Sequence, residues 1–213
     1  MTFKILAAAA ALALSGVAAQ ATTLSQNFNN GMTNGFGVID GGAGSIVSGG
    51  PDGATDPYLS VEDTNSGFMR VTFSSEWTGD LSAFDGATFS IDYIQTDQER
   101  GNYIASFGQL LITGDGRTIG ADVIPSDPTD EWNSVSMMLT ASLFGVTQSI
   151  WEDTLADVTV FSIRAESWSN VSETVGFDNI SLVGTMPPVP LPAGGVLLLT
   201  GLGALGLWRR RKA

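Results

Sequence analysis

The chain has 213 residues, 22 acidic side chains against 9 lysines and arginines, a formal net charge of −13, and neither cysteine nor histidine. That composition excludes disulfide and thiolate chemistry, histidine-based nucleophilic triads and imidazole-ligated zinc. Every acidic residue falls between Asp40 and Asp178, where four arginines are the only cations and lysine is absent, so the surface repels phosphate backbones and nucleic acid is not an expected partner.

In chain order, Lys4 is followed by an apolar run from Ile5 to Val17 and then by Ala19-Gln20-Ala21, a small-x-small cleavage pattern. This predicts a secretory signal peptide over residues 1–21, removed by signal peptidase beside Ala19 and Ala21. About thirteen apolar residues fall short of the roughly 20 that span a bilayer. An exported domain without cysteines points to a bacterial envelope or extracellular protein.

Residues 22–185 are expected to form one all-β domain. Glycine-rich 41–58 reads as a long loop lying against the domain through Val47, Tyr58 and Leu59, and no lysine follows it to make a phosphate loop. Period-two alternation predicts strands over 68–74, 87–94, 133–141, 158–167 and 175–184. The 109–124 stretch reads as a hairpin around Gly114-Asp115-Gly116. A short helix is expected over 149–157. Strands at about ten-residue spacing argue for an antiparallel β-sandwich.

The stretch over 49–93, with its Trp77-x-Gly-Asp-Leu-Ser-x-Phe-x-Gly86 turn, resembles the laminin B (laminin IV type A) domain. The segments 151–166 and 176–182 are similar to that family's closing pattern of short helix, strand and Asp-containing last strand. The resemblance implies a galactose-binding-like jelly roll, a non-catalytic adhesion or carbohydrate-binding module, and in some members a structural calcium. A hard cation joining the first and last strands would take oxygen ligands, here Asn29 and Asp178; the other role for Asp178 is a hydrogen bond to strand backbone. Among the tryptophans, packing is the ordinary role, and Trp168, among polar neighbours, is the candidate for an exposed glycan contact. A glycan-active enzyme using paired carboxylates is the rival function; a purely architectural surface protein is another.

The end of the chain, 186–213, combines a proline spacer, an uncharged run from Leu191 to Trp208 and the cluster Arg209, Arg210, Arg211 and Lys212. Eighteen uncharged residues make a helix of about 27 Å, enough for one transmembrane helix whose cations stay in the cytoplasm. The tail, with Val189, Pro190, Leu191, Pro192 and Ala193 as its motif, resembles the VPLPA-type sorting signals related to PEP-CTERM tails. The resemblance implies cleavage by an exosortase of a Gram-negative bacterium. The domain would pass from an inner-membrane intermediate to the cell surface or extracellular matrix, beside exopolysaccharide. An uncleaved single-span anchor is the alternative.

Overall fold

A computed structural model describes residues 22–64, 67–96, 102–103, 107–124, 128–166, 168–169 and 172–184, with the side chains of 102–103 and 168–169 left out. The proposed signal peptide with Ala19 and Ala21, the sorting motif Val189–Ala193 and the cations Arg209–Lys212 lie outside the described residues. Among those described, no helix is long and apolar enough to cross a membrane.

In chain order the elements begin with β1 (Thr23–Gln26), β2 (Gly37–Ile39), β3 (Gly42–Gly50), β4 (Gly53–Asp63) and β5 (Arg70–Thr72). Two 3-10 turns follow, Ser75–Trp77 and Ser82–Phe84, then β6 (Thr88–Gln95), β7 (Asn102–Tyr103), β8 (Gln109–Gly114) and β9 (Arg117–Asp122). The remainder is β10 (Asn133–Met138), α1 (Gln148–Ala156), β11 (Val158–Arg164), β12 (Trp168–Ser169) and β13 (Thr174–Val183).

One sheet runs β10-β6-β13-β4-β3, with β1 also on β13, and the other runs β2-β5-β11-β8-β9; β7 and β12 form a separate two-stranded pair. All named pairings are antiparallel. The all-β sandwich expected from alternation is what forms.

The alternation fixes which face is inside. On β6, Phe89, Ile91 and Tyr93 join the core while Ser90 and Asp92 are only partly buried; on β11, Phe161 and Ile163 turn inward. Phe89 of one sheet meets Phe161 of the other at 6.5 Å between ring centroids, and Phe73 and Trp77 close the group at 4.9 to 6.4 Å. Such aromatic pairs add roughly 0.5–1.5 kcal/mol each beyond their buried area. The Trp77–Gly86 turn contributes Trp77, Leu81 and Phe84 to this core, and Asp85 from it accepts the Trp151 Nε1–H of α1 at 2.7 Å. The helix start is set by Thr147, whose Oγ1 accepts the Ile150 N–H at 3.3 Å.

The stretch 41–58 corrects its expectation: most of it is not a loop but the β3–β4 hairpin, paired from Gly42↔Asp63 to Gly50↔Gly53. Its period-two signal is faint because small residues fill the positions where bulky ones would not fit. A Cβ on Gly44 would strike Val38 at 2.8 Å. As the last strand of its sheet, β3 also leaves one face and one edge in water, so Gly and Ser suffice.

Candidate functional site

The six-stranded sheet turns one face to the core and the other outward, and the polar candidates gather on the outer one. Strand β13 runs through its middle, flanked by β6 along one edge. Along its other edge the partner changes: β4 pairs Thr174 to Phe177, and β1 takes over from Ile180 to Val183. The switch falls on Asp178 and Asn179. There the register with β6 also slips, between Asp178 and Ser181, and Asn179 adopts φ 46°, a left-handed conformation that asparagine tolerates better than most residues. Bulges of this kind re-aim side chains and interrupt pairing.

The interruption leaves a hollow of about 330 Å³ lined by Ser25, Gln26, Asn27, Asn179, Ile180 and Ser181. Hydroxyl- and carboxamide-bearing side chains share its wall with Ile180. Asn179 Nδ2–H donates to Asp92 Oδ2 at 2.9 Å, which holds the amide against β6. Further across the face, Ser90 and Ser136 join through their hydroxyls at 3.0 Å.

Beyond Asp178 along the same face lies an aromatic wall. Gly176 has no side chain, and the Tyr58 ring occupies the space: an added Cβ would sit 2.6 Å from Tyr58 Cε2 and 2.7 Å from Ile94. Tyr58 meets Trp132 edge to face at 5.1 Å. Trp132 Nε1–H donates to the Gly49 carbonyl at 3.0 Å, which ties the indole to the hairpin tip. Trp132 is half-buried while Tyr58 is 8% exposed, so the indole supplies the accessible aromatic surface and the tyrosine supports it. Burial also pushes the Tyr58 phenol above its usual range.

Between hollow and wall sits Asp178, fully buried. Neither oxygen meets a donor in hydrogen-bond geometry among the described residues. Burial, then the facing carboxylates of Asp56 and Asp92, push its carboxyl up to about 7, and the nearby Asn179 N–H offsets only part of this.

Nothing among the described residues supports the expected calcium. Asn29 is exposed in a turn, its N–H directed to Asn27 Oδ1 at 3.4 Å. Asp178 is fully buried on the sheet's outer face. Among the described residues no group of three or more Asp, Glu, His or Cys side chains could hold a metal ion. Trp168 pairs with Tyr103 through the backbone of β12 and β7, and its side chain lies outside the described residues. Trp77 and Trp151 are core residues. Trp132, for which the sequence suggests ordinary packing, instead stands half-buried on the outer face; its polar neighbours Asp130, Glu131 and Asn133 are the signal the sequence carries.

Other buried acids have structural partners. Glu166 accepts the Met69 N–H at 3.0 Å, and Glu173 accepts Gln95 Nε2–H at 3.4 Å. Burial raises Glu166 above the ordinary carboxylate range.

The fold thus defines a two-sheet antiparallel β-sandwich with a polar, aromatic-walled outer face. Among solved structures it is similar to an exo-β-agarase, with 15% identity and a TM-score of 0.54, over 76% of this chain and 25% of that one; the chain spans about a quarter of that enzyme's length. It is similar to the L4b domain of human laminin α-2, with 12% identity and a TM-score of 0.50, over 71% of this chain and 92% of that domain. It is also similar to the family 11 carbohydrate-binding module from Clostridium thermocellum in complex with a β-1,3-1,4-mixed-linked tetrasaccharide (18% identity, TM-score 0.47, 77% of this chain and 96% of that one). At these identities the likeness is one of fold, and the laminin resemblance holds at that level. No protein-family model matches the chain, and no curated protein matches it.

Proposed function

We propose that residues 22–184 form a non-catalytic carbohydrate-binding module of an exported bacterial surface protein. The outer face of β4, β13 and β6 is its glycan site. One observation carries this reading: the Trp132 indole, braced by Tyr58 and Gly49, stands on the same face as a hollow walled by hydroxyl and amide groups. Sugars need both surfaces, a flat aromatic against their C–H faces and fixed donors and acceptors for their hydroxyls. The strand from Gly176 to Ser181 runs about 16 Å at roughly 3.3 Å per residue, room for a short oligosaccharide rather than a single sugar.

The ends of the chain are its addresses. Residues 1–21 direct export and are removed by signal peptidase. The tail with Val189 to Ala193 and Arg209 to Lys212 is held at the inner membrane and cut by an exosortase, which passes the module to the surface or matrix. Exopolysaccharide is the partner that fits a hydroxyl-recognising site on an acidic domain, and an uncleaved anchor is the competing arrangement.

A glycan array probed with the purified 22–186 fragment tests the site. Specific binding is expected, with at least a tenfold loss for Trp132→Ala and a smaller loss for Tyr58→Phe, which keeps the brace. Silence across the array from a folded fragment refutes the reading, and turnover of a bound glycan favours the enzyme. Mass spectrometry of the surface protein tests the tail: a terminus near Val189–Ala193 is expected, and an intact arginine-rich end argues for an anchor.

A further inference from the structure

Strand β1 ends between two hollows. Ser25 and Gln26 line the one shared with Asn179 and also a second, of about 430 Å³, whose other walls are Asn34 and the turn from Ser74 to Trp77. No β13 residue lines this second hollow; its far wall follows β5 of the opposite sheet, so it lies at the seam between the two sheets.

A chain of carboxamides fixes what Gln26 offers there. The Met32 N–H donates to Asn30 Oδ1 at 3.0 Å, and a backbone N–H can only donate, so that end of Asn30 is its oxygen. Asn30 Nδ2–H then donates to Asn34 Oδ1 at 2.9 Å, and Asn34 Nδ2–H donates to Gln26 Oε1 at 3.2 Å. Each bond decides which way round the next amide lies, and the last makes Nε2 the remaining end of Gln26. That nitrogen is shielded from solvent and meets no acceptor among the described residues. A shielded N–H without an acceptor is costly, so it gains from any ligand oxygen brought to it.

The rest of the wall supplies matching groups. Ser74 is 7% exposed, and its side chain makes no capping bond to the turn it begins. Ser75 and Glu76 are exposed, and a carboxylate accepts O–H bonds. Trp77, a core residue, backs the hollow. Among the described residues no arginine or lysine lines either hollow, so an anionic sugar would meet Glu76 with no counter-charge.

We propose that the second hollow is a further sugar subsite, in which Gln26 Nε2–H binds an oxygen of an uncharged sugar unit and Glu76 and the serines bind its hydroxyls. This rests on the glycan reading of the outer face and extends it: a chain lying on the Asn179 hollow crosses β1 at Ser25 and Gln26 and ends against the Ser74–Trp77 turn. Crossing one strand takes about 4.8 Å, so the subsite lengthens the bound chain by about one sugar unit.

The test uses the full ¹⁵N-labelled chain in detergent, titrated by NMR with uncharged cello-, xylo- and manno-oligosaccharides of graded length, and with oligogalacturonates as the anionic probe. The Gln26 side-chain amide and the Ser75 and Glu76 backbone N–H signals are expected to shift together. Affinity should rise about tenfold or more once the ligand is long enough to reach them. Asn34→Asp puts an acceptor opposite Gln26, so the carboxamide turns over and Nε2 leaves the hollow. The gain from lengthening should then disappear although Gln26 is intact. The subsite is overturned if no sugar moves Ser75 and Glu76, or if the gain from length survives in Asn34→Asp; shifts with oligogalacturonates overturn the uncharged class. If Asn34→Asp does not fold, the wild-type shifts decide. The two readings fail separately. Binding lost in Trp132→Ala, without shifts at Ser75 and Glu76, keeps the outer face and removes the subsite. Shifts there that Trp132→Ala leaves unchanged remove the aromatic wall as the site and keep the subsite.

Discussion

Gly176 is where the outer face is made. Its missing side chain leaves room that the Tyr58 ring fills, and Tyr58 in turn meets Trp132 edge to face. A Gly176→Ala variant places a methyl at 2.6 Å from Tyr58 Cε2, inside van der Waals contact. The ring must therefore swing away. The expected cost is about 1–3 kcal/mol of stability, the usual penalty for overpacking a filled site, together with a shift in Trp132 fluorescence; chemical denaturation monitored at the indole reads both. Asn179 matters for a different reason, as the residue whose left-handed backbone turns the strand out of register and opens the hollow beside it. Nothing in its one-letter identity distinguishes it from the other asparagines of the chain.

Among the elements, the β3–β4 hairpin and α1 contrast in how they are held. The helix has a local start signal: Thr147 Oγ1 accepts the Ile150 N–H, and Trp151 reaches Asp85 from the next turn. Thr147→Ala should cost about 1 kcal/mol, lowering Tm by about 2–4 °C for a domain of this size, with the hairpin unaffected. Calorimetry measures it. The hairpin has no such signal. Its strands are rich in Gly and Ser, and it is kept in place by pairing with β13 and by the bond from Trp132 Nε1–H to the Gly49 carbonyl at its tip. That is why 41–58 reads as a loop from sequence: the partners that order it lie more than eighty residues away in the chain.

For the whole molecule the dominant quantity is negative charge. Arg70 pairs with Asp40 and Arg117 with Asp115, which leaves most of the 22 acids repelling one another. Raising NaCl from about 20 to 200 mM shortens the screening length severalfold, so Tm should rise; an unchanged Tm would mean that the carboxylates are too far apart to matter. The pH response has a definite sign. Asp178 and Glu166 both have folded pKa values raised by burial. They stabilise fully below the ordinary carboxylate range, and for Asp178 that contribution is lost as pH climbs from about 4 towards about 7. Asp80, lowered by its hydrogen bonds to Ser82, has the opposite sign, but it is fully exposed. Melting temperature is therefore expected to fall between pH 5 and pH 8, and the fall should shrink in Asp178→Asn.

Alternation of apolar and polar residues is a local property, and it was enough to determine the two-sheet class, the turn at Gly114–Gly116 and the inward set of Phe89, Ile91, Phe161 and Ile163. The charge balance and the absence of histidine and cysteine likewise bounded the chemistry before any folding. The site was a tertiary decision. Which strand lies beside β13 at each point, where β4 gives way to β1, and that Trp132 meets Tyr58 all depend on long-range pairing. Alternation records which side of its own strand a residue occupies and carries no information about which other strand will lie next to it.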